Sequence, residues 1–423
     1  FKMKASISCA LLFLVIISTN CNKDIGEVTL TYNKATAVYG DLDAIRATPL
    51  IGLNRAIEDP GKIFMGDEVL LIGEEGKGIH VFDNNNINDP VPVLFIDLPF
   101  TNEFYVQKDI IYAISHYDMV KIDISNMLAP TIIDRDMHAF SEPIVNNQGE
   151  TLVGFDFGVV TESFELNGQE AQALLEESIL YFDYRNNMIP KSTIPSSFAG
   201  NGTETDQGTT NRIALTDRYL YVVTDNSLLT FVDNPTELSV VDKQYLGEGL
   251  ETIYLSNNQL FIGTQTAMII MDISSEENPF LLSSYWHPMS CDPVLPSGPV
   301  AYVTLRSINQ DGCTGEENSL TVVDISNVHN PNDLVIIPMN SPFGMCIQNN
   351  YLFVGEGANG ISVFDIATPS SPVLEMSFPD EIYDIMPHPN APNRFLAAGP
   401  EGLSQYEVDY TAQTMTLLSA ITF

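Results

Sequence analysis

One short phrase recurs along the chain and limits what it can become: mostly apolar residues ending in Asp, then a turn, and usually Pro. It reads His80-Val81-Phe82-Asp83, Val120-Lys121-Ile122-Asp123, Leu180-Tyr181-Phe182-Asp183 and Thr230-Phe231-Val232-Asp233. It returns as Ile269-Ile270-Met271-Asp272, Thr321-Val322-Val323-Asp324, Ser362-Val363-Phe364-Asp365 and, less regularly, Tyr406-Glu407-Val408-Asp409. Successive aspartates lie 40, 60, 50, 39, 52, 41 and 44 residues apart, the mark of a unit of about 40 residues with insertions. Six copies carry Pro seven residues after the Asp (Pro90, Pro130, Pro190, Pro279, Pro331, Pro372), and those at Asp233 and Asp409 do not.

Each unit parses into four short strands. In the clearest, Thr252–Leu255, Gln259–Gly263, Met268–Asp272 and Phe280–Tyr285 are separated by Asn, Ser and Pro clusters. Apolar or alternating runs of this length between turn residues are strands rather than helices. The recurrent carboxylates can accept backbone N–H groups two residues on and fix the turn. Pro then opens an outer strand, where a missing N–H is tolerated at a sheet edge. Four antiparallel strands per ~40 residues make a propeller blade. The expectation is an all-β chain, a β-propeller of eight four-stranded blades, with seven as the alternative. The expected blade starts are 61, 100, 143, 211, 249, 291, 341 and 381. The third copy is the least regular, since the polar stretch Val159–Glu177 reads as a loop or short helix. Residues 194–210 read as a Gly/Ser/Thr-rich loop.

The N-terminus reads as an export signal. Lys2 and Lys4 precede the apolar run Cys9–Ile17, far shorter than the ~20 residues that cross a bilayer as a helix. Ser18-Thr19-Asn20-Cys21 then resembles a bacterial lipobox, which makes Cys21 the candidate lipidation site. Ordinary signal cleavage with Cys21 unmodified is the alternative. The expected organisation is a signal peptide over 1–20, a lipidated tether and N-terminal segment over 21–60, and a single propeller over 61–423. Within the tether, Val28–Tyr32 and Thr36–Tyr39 are candidate strands, followed by a helix-compatible or irregular stretch. Export puts the cysteines in an oxidising compartment. There Cys291 and Cys313 are expected to pair, leaving Cys346 as a small buried hydrophobe.

Eighteen Lys and Arg face 55 Asp and Glu, a formal charge of −37. Such a surface repels phosphate backbones, so nucleic acid is not expected as a partner. Hydrophobic residues make up 44% of the chain, enough for a large core.

Leu320-Thr321-Val322-Val323-Asp324-Ile325-Ser326-Asn327 resembles the motif of the LVIVD-repeat proteins, as do Val120–Asn126 and Ile269–Ser274. Gly61–Phe64 followed by Gly78–Asn84 is similar to the opening repeat of Bacteroidetes lipoproteins of that family, and Ala301–Arg306 with Gly312-Cys313 and Asn318 to a later one. The resemblance spans roughly residues 37–423. It implies a lipid-anchored propeller of the outer membrane, periplasmic or surface-facing, and brings no catalytic residues with it.

No nucleophile elbow, zinc-protease helix or phosphate loop occurs. The six histidines, His80, His116, His138, His287, His329 and His388, are scattered singly and read as structural. The acidic loop Asn309–Asn318 has calcium-loop character, but in EF-hand register both end carboxylates are missing. It reads as a disulfide-pinned hairpin or a non-EF Ca2+ site, with no other cofactor expected. Glu74-Glu75 and Glu356 lie in equivalent second-to-third-strand hairpins, either a shared rim surface or solvated turns. Function is expected to be binding or scaffolding, with the membrane held through the anchor and a protein or glycan as partner. The alternatives are an envelope hydrolase or lyase working at the propeller axis, and a structural subunit of an outer-membrane assembly.

Overall fold

The computed structural model describes residues 26–166, 212–235, 237–287, 294–306 and 318–423. They fall into two units. One, 26–38 with 155–166 among the described residues, contributes most of a two-stranded sheet of Gly26–Gly40 and Thr151–Leu166. The two strands expected near the N-terminus are thus one. The described part of the polar stretch from Val159 is strand, not loop or helix, because an extended partner is present to satisfy its backbone. Pairing overrides a weak local preference.

The other unit, 39–154 with 194–423, is the propeller. Blade 1 comprises Pro60–Met65, Val69–Glu74, Gly78–Asp83 and Val91–Asp97; blade 2, Thr101–Gln107, Ile110–Ser115, Asp118–Asp123 and Thr131–Asp136. Blade 3 is Ile213–Leu215, Tyr219–Val223, Ser227–Asn234 and Glu237–Tyr245; blade 4, Leu250–Ser256, Gln259–Thr264, Ala267–Asp272 and Phe280–Trp286. Blade 5 is Val294–Ser297, Val300–Leu305, Ser319–Asp324 and Asn332–Pro338; blade 6, Met345–Gln348, Tyr351–Gly355, Ile361–Asp365 and Val373–Phe378. Blade 7 is Asp384–Pro387, Arg394–Gly399, Gly402–Asp409 and Thr414–Thr422. Each is an antiparallel meander, and blade 1 gains a fifth, outermost strand, Ile51–Gly52.

The ring closes with seven blades, the alternative rather than the favoured count of eight. Seven buried clusters each join two neighbouring blades, and the last packs Ile63, Leu70 and Phe82 of blade 1 on Leu396, Ala398 and Leu403 of blade 7. With that contact made, no gap is left among the described blades. Periodicity counts copies along a chain, whereas packing decides how many stand in the ring. The third copy, at Asp183, lies outside the described residues. Blade 7 supplies all four of its own strands, so closure borrows none. The segment preceding residue 61 carries structure of its own. Leu42–Arg46 forms a helix whose Asp41 Oδ1 accepts from the amides of Asp43 (3.0 Å) and Ala44 (3.2 Å), and Ile51–Gly52 edges blade 1.

Register was the harder thing to read. Every blade carries a bulge between its third and fourth strands, and in blades 1, 2, 4, 5 and 6 it falls just before the recurrent Asp. At Gly78, Gly360 and Gly402, with φ of 149°, 96° and 126°, an added Cβ would lie 2.0–2.1 Å from a fourth-strand carbonyl. Only glycine fits there, so these three mark equivalent positions. Aligned on bulges and glycines, the true counterpart of Asp83 is Val232 in blade 3 and Glu407 in blade 7. Asp233 and Asp409 lie one and two residues beyond it.

Candidate functional site

In an antiparallel meander, the second-to-third-strand hairpins and the blade-to-blade crossings share one face; the Asp-bearing turns lie on the other. On the turn face, Asp83, Asp123, Asp272, Asp324, Asp365 and Asp409 each accept the backbone N–H two residues on, at 2.7–2.9 Å. Asp233 does not. A one-residue offset in a strand turns a side chain to the opposite face, so Asp233 points back at blade 2. There it accepts from Lys121 Nζ at 2.5 Å and from Tyr112 Oη at 2.6 Å. Lys121 also donates to the carbonyl of Asn234. Burial pushes the Tyr112 phenol well up, and the Asp233 carboxylate adds to it.

On the crossing face Glu74, Asp118 and Glu356 are buried. Glu74, fully enclosed, accepts from the amides of Glu58 and Asp59 (3.2 Å), from Lys77 Nζ (3.1 Å) and from His80 Nε2 (3.0 Å). Burial works to raise its pKa, but these donors outweigh it and the net shift is down. Burial lowers the pKa of His80, which keeps the ring neutral and donating. Glu356 repeats the arrangement with the same spacings: the amide of Asn340 (2.8 Å) lies 16 residues before it and Ser362 Oγ (2.5 Å) six after. Neither is a solvated turn, although Glu75 is exposed. In blade 2, Asp118 takes Arg46 Nε (2.8 Å) and Nη2 (2.7 Å), Arg135 Nη1 (3.0 Å) and the His138 amide (3.1 Å). Burial again opposes ionisation, and Arg46, His138 and Arg135 together hold its pKa down. The cleft under the helix there measures about 10 Å³, room for one water molecule.

At the axis, Lys62 Nζ lies 3.8 Å from Glu103 Oε1. Burial raises the pKa of Tyr105 and Tyr254, which stand on the first strands of blades 2 and 4. Among the described residues no three His, Cys, Asp or Glu side chains are grouped to hold a metal ion. Cys346 is buried and free. Cys21, Cys291, Cys313, Asp183 and the loop 309–317 lie outside the described residues.

Three stretches, 207–243, 313–337 and 344–380, match the LVIVD repeat. The chain carries LVIVD repeats. The matches fall on blade 3, the outer half of blade 5 and blade 6. The similar phrases Val120–Asn126 and Ile269–Ser274 occupy the same third-strand position in blades 2 and 4. No curated protein matches the sequence at a significant level.

Among solved structures, the chain is similar to a periplasmic gluconolactonase of Pseudomonas aeruginosa (11% identity, 84% of this chain and 96% of that one, TM-score 0.53). It is also similar to a chain of a mitotic checkpoint complex (8%, 84% and 92%, 0.52). A protein of unknown function from Desulfotomaculum acetoxidans is a third (10%, 86% and 100%, 0.51). An enzyme and a regulatory assembly share the likeness, so it speaks for the propeller fold alone.

Sequence reading missed the Asp118–Arg46–Arg135 group and two side-chain pairs between blades, Lys121 with Asp233 and Gln405 with Asn84. One signal was available: Lys121 is a charge inside an otherwise apolar strand phrase.

Proposed function

We propose that this LVIVD-repeat propeller is an exported, lipid-anchored binding or scaffold module of a bacterial envelope, holding a partner on its crossing face. The observation that carries this is the set of buried acids Glu74, Asp118 and Glu356. Each ties a hairpin to the chain entering its own or a neighbouring blade, so the loops of that face are presented rigidly. Preorganised loops hold a partner without the entropic cost of ordering them. Ionisable groups near the axis favour this reading over a hydrolase: Lys62 is paired with Glu103, and phenols of raised pKa stay protonated at neutral pH and supply no base. No helix among the described residues is long and apolar enough to cross a membrane, and the Cys21 anchor takes that role in this reading. The charge of −37 argues against nucleic acid.

The test is capture from native membranes. A partner retained by the wild type should be lost on placing Arg at exposed Ala358 or Asn359 of the blade 6 hairpin, and kept by a turn-face variant such as Asn85→Arg. Equal retention by all of them would overturn the assignment of the face. Palmitate-analogue labelling should mark the wild type and not Cys21→Ala. Calcium titration followed by thermal midpoint tests the loop Asn309–Asn318, where a Ca2+ site would raise the midpoint.

A further inference from the structure

A strand at a sheet edge presents unpaired N–H and C=O groups to any strand that reaches it, and proteins block such edges with charge, cover or caps. Much of this ring is blocked. The fifth strand covers blade 1, where Asn54 Nδ2 also donates to the Val93 carbonyl at 3.3 Å. The outer strand of blade 2 carries Asp134, Arg135 and Asp136. Its two aspartates cap the next blade: the Leu238 and Val240 amides of blade 3 donate to Asp134 Oδ2 (2.6 Å) and Asp136 Oδ2 (2.9 Å). The outer strands of blades 5 and 6 carry Asp333 and Glu375.

Blades 4 and 7 have uncharged outer strands, and the two differ. Thr414–Thr422 exposes one large apolar side chain, Leu417. Phe280–Trp286 exposes three: Phe280 at 50%, Leu281 at 58% and Trp286 at 72%. No described strand pairs with its outer side. The His287 amide donates inward to the Thr266 carbonyl, and alternate residues of an antiparallel strand turn their backbone groups to opposite sides. The N–H and C=O groups of Trp286 and Ser284 therefore face outward.

We propose that this edge is a homodimer interface, the outer strand of blade 4 pairing antiparallel with the same strand of a second copy. A two-fold contact needs a surface that complements itself. Centred on Ser284, the pairing sets Ser283 opposite Tyr285. Because the bulge takes up Leu282, it also sets Trp286 opposite Leu281. These two share a sheet face, since their partners Ala267 and Met271 lie four residues apart on one strand. Each end of the joint thus brings together the two most exposed side chains of the strand, an aromatic–aliphatic cross-strand pair. Charge favours the same occupant. Two chains of charge −37 repel and meet best where neither brings an acid, and Phe280–Trp286 has none. The edge is separate from the acids that hold the crossing face, so either reading can fail alone.

The test is sedimentation equilibrium of the full chain in density-matched detergent. The wild type should reach twice the monomer mass below about 100 μM. Trp286 is the one tryptophan of the sequence, and its emission should move to shorter wavelength with concentration as the dimer covers it. Ser284→Pro removes an outward N–H and no bond within the blade, and Leu281→Asp puts an acid into both halves of the joint. Each should raise the dimer dissociation constant about tenfold or more with unchanged far-UV circular dichroism, while Leu417→Asp on blade 7 should leave it as it was. A monomer up to that concentration, a dimer indifferent to both blade 4 substitutions, or one in which Trp286 emission stays fixed would each overturn the proposal.

Discussion

Blades 2 and 3 meet over a buried charge, and blades 7 and 1 over a pair of amides, at the same two positions of the repeat. Two residues before the aspartate position, a side chain faces the following blade; one residue after it, a side chain faces the preceding blade. At four interfaces the two are aliphatic: Val81 with Ile124, Ile270 with Ile325, Val322 with Ile366, and Val363 with Val408. Blades 3 and 4 place Thr230 and Ile273 there. Between blades 2 and 3 the pair is Lys121 and Asp233. Between blades 7 and 1 it is Gln405 and Asn84, whose amides exchange hydrogen bonds of 2.8 and 3.1 Å.

These two interfaces differ from the others in connectivity. Elsewhere no more than seven residues separate one blade from the next. Blade 3 begins 77 residues after blade 2 ends, and blades 7 and 1 hold opposite ends of the ring. A short crossing keeps the right blades side by side whatever their faces carry. Without one, interchangeable aliphatic faces could pair wrongly, and a polar pair excludes the wrong neighbour because it would be buried unsatisfied. One pair is charged and the other neutral, so neither can replace the other.

The largest expected effect comes from breaking the charged pair. Lys121→Met leaves Asp233 buried against Tyr112 alone and should cost about 3–5 kcal/mol in urea unfolding. Changing both residues, Lys121→Ile with Asp233→Ile, restores the pattern of the other interfaces and should recover most of that loss. If the double variant is as unstable as the single, the pair is not the isolated lock described here.

Gln405→Val should cost less, about 1–3 kcal/mol, since it strands the neutral amide of Asn84 and no charge. Alkaline pH separates the two locks further. Tyr112 has a folded-state pKa above its unfolded value of ~10. Its contribution is therefore complete below pH ~10 and declines above it, as the unfolded chain ionises first. Tyr112→Phe should flatten that alkaline loss by one group's share, while Asn84→Ala with Gln405→Ala should leave its slope unchanged. Acid tests the crossing face in the opposite sense. Asp118 has a depressed folded pKa, so its contribution holds above the unfolded value of ~4 and fades as pH falls through the folded one. Asp118→Asn should lower stability at pH 7 more than at pH 3. The smallest effect belongs to the exposed caps: Asp83→Ala should shift the thermal midpoint less than any change above, because water can replace its one turn.

The recurrent Asp and Pro, read along the chain, determined that this protein builds four-stranded blades of about 40 residues, and roughly where most of them begin. They also pointed to an acidic side chain capping the turn, which holds in blades 1, 2, 4, 5, 6 and 7, because turn capping is local and needs only neighbours in sequence. Tertiary structure alone decided that seven blades close the ring, since closure depends on Leu396 and Leu403 meeting Ile63 and Leu70 more than 320 residues away. Asp233 could not cap as the others do, because Pro235 two residues on has no N–H; that it locks onto blade 2 instead was decided by tertiary structure, where the bulge turns its side chain to that face. Glu74 and Glu356 read equally as a shared rim surface or as solvated turns until the chain entering each blade supplied the amides that hold them. Local chemistry is written in the order of residues; which distant faces meet is settled only when they pack.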